Sequence, residues 1–188
     1  MGKSGPKGTL AVIGLLSALL VPGAAARGED QELSDHTVAL LMGYAWQLTP
    51  HTFITPQGKT ITVDKSQRAR ATVPTDTARE VIRTARMSAL AQICGLDQEQ
   101  IANFQTLMRR EQAKGRWSEQ QMLYINQLHL LTVMTLTGKV AAKDARGVAP
   151  LPQAERPAKS CSDSERARVR ERIMAYLNAE PQAAPKGK

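Results

Sequence analysis

Aromatic side chains are scarce in this chain of 188 residues, which holds two Trp, three Tyr and two Phe. Single-stranded nucleic-acid binders stack bases on aromatics set in basic grooves, and the basic stretches here contain almost none, so no nucleic-acid partner is expected. Cysteine is nearly absent as well, at two residues. Without a C-x-x-C, thioredoxin-like chemistry lacks its motif. His36, His51 and His129 are scattered singly, with no H-E-x-x-H and no cysteine pair to complete a zinc site. There is no G-x-S-x-G and no G-x-G-x-x-G, and no Walker loop follows residue 26. Nothing therefore nominates a catalytic residue, a metal or a cofactor. An enzyme whose site is assembled from residues distant in sequence, such as a carboxylate pair, stands as an alternative.

Long apolar runs are missing too. The stretch from Leu10 to Val21 spans 12 residues, well short of the roughly 20 that a spanning helix needs. Lys3 and Lys7 precede it, and a Pro22-Gly23 break and Ala24-Ala25-Ala26 follow it. This is the layout of a secretory signal peptide over residues 1–26 with an A-x-A cleavage site. The expectation is a periplasmic or secreted chain beginning near Arg27, with no transmembrane span after cleavage. No cysteine follows the run to carry a lipoprotein anchor, and Pro6 stands where a myristoylation motif wants Ser or Thr.

Charge is of mixed sign with a basic excess: 25 Lys and Arg against 17 Asp and Glu, a formal net charge of +8, or +6 once Lys3 and Lys7 are removed. Outside the cytoplasm that excess fits anionic lipid head groups, cell-wall polymer or an acidic protein, or simply solvates helix faces. Arg79, Arg83 and Arg86 are spaced by four and three. That spacing lays three forked, permanently charged donors along one strip of a helix, a candidate ligand or anion site. The same strip also reads as a solvated or internally paired face. Arg109, Arg110, Lys114 and Arg116 form a second cluster, and Arg166, Arg168, Arg170 and Arg172 read as helix surface.

What the chain does have is helix punctuation. Ser34 can cap a helix carrying Val38, Leu41, Met42, Ala45 and Leu48, which ends before Thr49-Pro50. In residues 52–64 two β-branched runs flank Pro56-Gln57-Gly58, a turn sequence, so a β-hairpin is expected there. Residues 64–76 read as a polar connector. Thr77 with Glu80, Asp97 with Gln100, Ser118 with Gln121 and Ser162 with Glu165 each have the spacing of a capping box. Gly95, Gly115 and Gly138 supply the stops. The expected stripes are Ala78, Val81, Ile82, Ala85, Ala89 and Ile93, then Ile101, Phe104, Leu107 and Met108, and at the C-terminus Val169, Ile173, Tyr176 and Leu177. Carboxylates such as Asp97, Glu99 and Glu111 are accounted for by helix starts and surfaces.

The helix expected over 118–137 is apolar on more than one side, with Met122, Ile125, Leu128 and Leu136 facing one way and Leu123, Leu130 and Leu131 spilling round. Such a helix is either buried centrally or meets another subunit, which makes it the candidate surface for a protein partner or homo-oligomer. His129 lies on its apolar line, where a histidine reads as a core or boundary residue with its nitrogens satisfied. In an oxidising compartment Cys94 and Cys161 most simply pair. They are separated by 66 residues, and closing a loop of that length restricts the unfolded chain by roughly 4 kcal/mol. A catalytic or redox thiol is the weaker alternative, because a helix C-terminus disfavours a thiolate at Cys94.

The block from VPTDTAREVIRTARMSALAQICGL through NFQTLMRREQAKGRWSEQQMLYINQLHLLTV, residues 73–133, resembles a group of small secreted proteins of proteobacteria. That resemblance implies a periplasmic address and brings with it no activity, catalytic residue or cofactor.

The expected fold is therefore mainly α: a small bundle of about five helices with a short β-hairpin insertion and one disulfide. Its plan is a helical domain over 27–138, a linker or loop over 139–160, a stapled C-terminal helix over 161–180 and a disordered tail over 181–188. The expected function is a non-enzymatic periplasmic binding or envelope-associated module. A basic anion binder for cell-wall polymer, anionic lipid or nucleic acid and a distant-residue enzyme are the alternatives.

Overall fold

Ser34, with extended backbone, accepts a hydrogen bond on its side chain from Thr37 N and opens α1, Asp35–Leu48. The computed structural model to which this helix belongs describes residues 1, 2, 33–140 and 161–179. The signal peptide expected at 1–26, most of the linker at 139–160 and the tail at 181–188 fall outside the described residues.

After α1 come β1, Thr52–Ile54, and β2, Thr60–Thr62, paired antiparallel with Phe53 opposite Ile61. Gly58 takes φ +79° and its N–H returns to Thr55 O, so the Pro56-Gln57-Gly58 turn forms as its residues dictate. The hairpin leans its Phe53 and Ile61 on Val63, Ala71, Leu123 and Trp46. A lone two-stranded ribbon is marginal in water, and this cluster holds it. A single helical turn, α2, Arg68–Ala71, forms inside the stretch expected to be a connector and buries Ala71.

Three long helices follow: α3, Thr75–Ile93, α4, Asp97–Ala113, and α5, Glu119–Leu136. The last, α6, Asp163–Asn178, lies beyond the undescribed segment. The described residues thus hold six helices and one hairpin, the mainly α fold with a single disulfide that the sequence predicts, α2 being the addition.

Two of the four expected capping boxes form, at Ser118 with Gln121 and at Ser162 with Glu165. The other two do not. Pro74 stands at the N-cap of α3, so the helix begins at Thr75 and Thr77 is already inside it and buried. Leu96 stands at the N-cap of α4 with no side-chain cap, placing Asp97 at the first helical position, where its charge faces the positive helix end. The stop at Gly95 is a Schellman motif: Leu96 N bonds Ala91 O at 2.9 Å, Gly95 N bonds Gln92 O at 3.2 Å, and Gly95 has φ +66°.

The main core is built by α1, α3 and α5 around Val38, Leu41, Val81, Ile82, Tyr124, Ile125 and Leu128. Tyr124 is the largest of the fully buried side chains, and its hydroxyl donates to Met42 O of α1 at 2.9 Å. Burial raises the pKa of that phenol. Helix α5 is central, packing on α1, α2, α3, α4 and β2. Alanines 85 and 89 meet Val133 and Leu136, giving the close α3–α5 approach that small side chains permit.

Four residues of the expected apolar faces are not in the core: Leu48, at the last position of α1, Ile93, Ile101 and Leu130 are 57%, 38%, 50% and 46% exposed. On α4 the buried stripe is Asn103, Thr106, Leu107 and Glu111, with Phe104 and Met108 only half-buried at its edge.

Candidate functional site

The polar stripe of α4 leads to a buried cluster of a serine, an asparagine and a histidine. Ser88 of α3 is fully buried because it continues the line of Val81 and Ala85, one turn further on. Asn103 faces it from α4 and His129 from α5. Asn103 Nδ2 donates to Thr84 O and to Ser88 Oγ, each at 2.9 Å, and Ser88 Oγ lies 3.0 Å from His129 Nε2.

Bonding demand sets the direction of the chain. The Thr84 carbonyl can only accept, so the Asn103 amide presents its NH2 group, and its second hydrogen goes to Ser88 Oγ. The Ser88 hydrogen then has His129 Nε2 as its acceptor, which makes His129 the neutral Nδ1–H tautomer. Burial lowers the His129 pKa to about 4. Phe104 covers the ring at a centroid distance of 4.8 Å. A serine hydroxyl donating to a neutral imidazole is the geometry of a nucleophile and its base. Here the hydroxyl is enclosed on all sides and receives a hydrogen bond from Asn103, so the group locks three helices together and presents no atom to an incoming carbonyl.

Glu111 forms a second buried polar site, at 3% exposure. From the sequence it is expected at a helix start or surface. Instead Trp117 Nε1 donates to its Oε2 at 2.8 Å and Lys114 Nζ to its Oε1 at 2.7 Å, with Lys114 also 3.5 Å from Glu80. This carboxylate fixes the α4–α5 corner. Every buried side-chain nitrogen and oxygen among the described residues has a partner.

The arginine strip of α3 is divided. Arg79 is half-buried and donates to Leu33 O and to the Asp35 carboxylate, tying the start of α1 to α3. Arg83 is exposed and Arg86 half-buried on the same helix. The second basic cluster disperses into separate tasks. Arg109 bonds Thr106 Oγ1, Arg110 reaches α6, Lys114 serves Glu111, and Arg116 lies 4.3 Å over the Trp117 ring. Lys65 caps Trp46, 4.2 Å over its ring, and donates to Trp46 O at 2.6 Å. Desolvation there lowers the Lys65 pKa.

Cys94 and Cys161 are bonded, with Cα atoms 5.0 Å apart, and neither thiol is free. Leu96, Val169 and Ile173 pack around Cys94. His36 and His51 are exposed, and no group of three or more His, Cys, Asp or Glu among the described residues is placed to hold a metal. No described helix is long and apolar enough to cross a membrane.

The exposed side of α5 carries Gln127, Leu130 and Met134, spaced three and four apart, with Leu130 the most exposed of the three. Sequence periodicity missed the buried polar set, since Asn103 and Glu111 look like surface residues until Leu107, four positions from each, is recognised as the centre of their shared face.

Comparison with family models, with curated proteins and with solved structures finds no match to this chain.

Proposed function

We propose that this protein is a non-enzymatic interaction module of the cell envelope, exported through its N-terminal signal and engaging a protein partner through the outer face of α5. The observation that carries this reading is the pairing of a disulfide-closed helical body with an exposed apolar side chain on its central helix. The disulfide suits an oxidising compartment. Leu130 stands out on a helix that is otherwise buried on several sides, flanked by the amide of Gln127 and the thioether of Met134. Amide and thioether groups adapt to a partner surface without a fixed charge. The Ser88, His129 and Asn103 group plays no part in recognition, because its bonds are all internal.

The test is site-specific photo-crosslinking in the exporting cell. A photoreactive residue at position 130 should give one discrete adduct band, and the same residue at exposed Arg83 should not. Equal adducts at both positions, or none at 130, would remove α5 as the contact.

The basic excess supports a second reading, an anion binder. It predicts binding to anionic vesicles or cell-wall polymer that weakens steeply as salt is raised. The dispersal of Arg79, Arg109, Arg110 and Lys114 into intramolecular contacts counts against a concentrated site.

A further inference from the structure

Helix α6 is held differently from the others. Its apolar contacts form a cluster separate from the main core, in which Val169 and Ile173 meet Ala91, Cys94 and Leu96, with Met87, Leu90 and Leu177 half-buried at the edge. Only Val169 and Ile173 of its 16 residues are buried. The rim contacts are polar. Arg170 pairs with Glu99 of α4, and that hydrogen bond holds the Glu99 carboxyl below the usual carboxylate range. Arg110 of α4 donates to Tyr176 O at 2.7 Å and to Ala179 O, and sits 4.3 Å over the Tyr176 ring. These two rim residues fix the direction of α6: Glu99 takes a cation from its middle, and Arg110 takes the unsatisfied carbonyls of its C-terminal end. The N-terminal end is fixed covalently by Cys161.

The geometry points to α6 as a redox-released latch, seated on the α3–α4 groove while Cys94 and Cys161 are joined and leaving it when a dithiol reductant opens the bond. The two sulfurs are not equivalent. Cys94 is 2% exposed, whereas Cys161 is only half-buried. An attacking thiolate therefore meets Cys161 Sγ. It forms a mixed disulfide there as the Sγ–Sγ bond breaks, and Cys94 departs as a thiolate that takes a proton from water. The second thiol of the reductant then displaces Cys161, which leaves with the other proton. The protein gains two electrons and two protons, and the reductant becomes its own disulfide.

Once the bond is open, α6 is retained by two buried side chains and by rim contacts that water and salt weaken. Its local concentration is then set by the chain joining it to α5 rather than by a covalent neighbour. Release uncovers Met87, Leu90, Ala91 and Leu96, an apolar groove whose ends keep Glu99 and Arg110. The main core has its own residues and does not depend on this seam.

Hydrogen exchange with mass spectrometry on the full chain, oxidised and in excess dithiothreitol at neutral pH, reads the latch directly. Amides of α6 should lose at least tenfold protection on reduction while those of α3 and α5 change by less than about twofold. Retained protection in α6, or loss in α3 and α5 together with it, overturns the proposal. The Cys94→Ser, Cys161→Ser double variant without reductant should reproduce the reduced pattern, and an oxidised-like pattern would equally overturn it. Brief exposure to glutathione followed by acid quenching and peptide mapping should place the adduct on Cys161. An adduct on Cys94 contradicts the direction of attack.

Discussion

Ser88 Oγ lies 3.0 Å from His129 Nε2, and the hydroxyl that makes this bond is itself held by Asn103. A polar chain from α4 through α3 to α5 therefore runs beside a core of alanine, branched aliphatic side chains and Tyr124. Its cost if broken is large because each member is buried, and its protonation state follows from the same burial.

Acid should destabilise the protein through His129. Its folded pKa of about 4 lies below the ordinary 6.5, so the unfolded chain takes up the proton first. Its contribution is fully present above pH 6.5 and is lost as the pH falls through that window toward 4. The loss should be about 3 kcal/mol by the acid end. Ser88 and Phe104, which touch the ring, carry no charge to offset it. Urea midpoints taken from pH 7 to pH 4 should fall accordingly, and His129→Gln should flatten the curve.

Asn103→Ala removes the donor to both Thr84 O and Ser88 Oγ. Leaving buried acceptors unmet costs about 1–3 kcal/mol. Urea unfolding at pH 7 should show a loss in that range, whereas Ile101→Ala on the exposed side of the same helix should change stability by less than about 0.5 kcal/mol.

Gly95→Ala tests the corner by conformation alone. A Cβ at Gly95 would meet nothing within 4 Å, yet φ is +66°. The expected loss is about 1–2 kcal/mol from the left-handed backbone, read as a lower thermal midpoint with the disulfide still formed.

Ser118→Ala removes one half of the capping box of α5 and should cost about 1 kcal/mol. Asp97→Ala, at a helix start without a side-chain cap, should cost less, because only its interaction with the helix end is lost.

Helix ends were legible in the sequence wherever the signal is local. Ser34, Ser118, Ser162, Gly95 and Gly138 act through their own backbones and neighbours three residues away. Thr77 and Asp97 misled because Pro74 and Leu96, not hydroxyl or carboxylate side chains, hold those N-caps. The buried face of α4 was illegible for a different reason. Asn103 and Glu111 enter the core only because Ser88, Thr84, Trp117 and Lys114 bring them partners from elsewhere in the chain or from the corner that follows. Apolar periodicity scores them as surface and promotes Ile101 in their place. The partnership of Cys94 with Cys161 was legible from elimination, since a chain with two cysteines has one intramolecular choice.

One bond, from Cys94 at the end of α3 to Cys161 just before α6, closes the helical body. Its most direct test is the intact mass of the protein recovered from the periplasm of an expressing bacterium, alkylated before and after reduction. Export as proposed, together with this bond, should give an N-terminus near Arg27, no alkylation of the oxidised protein, and alkylation of both Cys94 and Cys161 after reduction. Two alkylated thiols without reductant would contradict it.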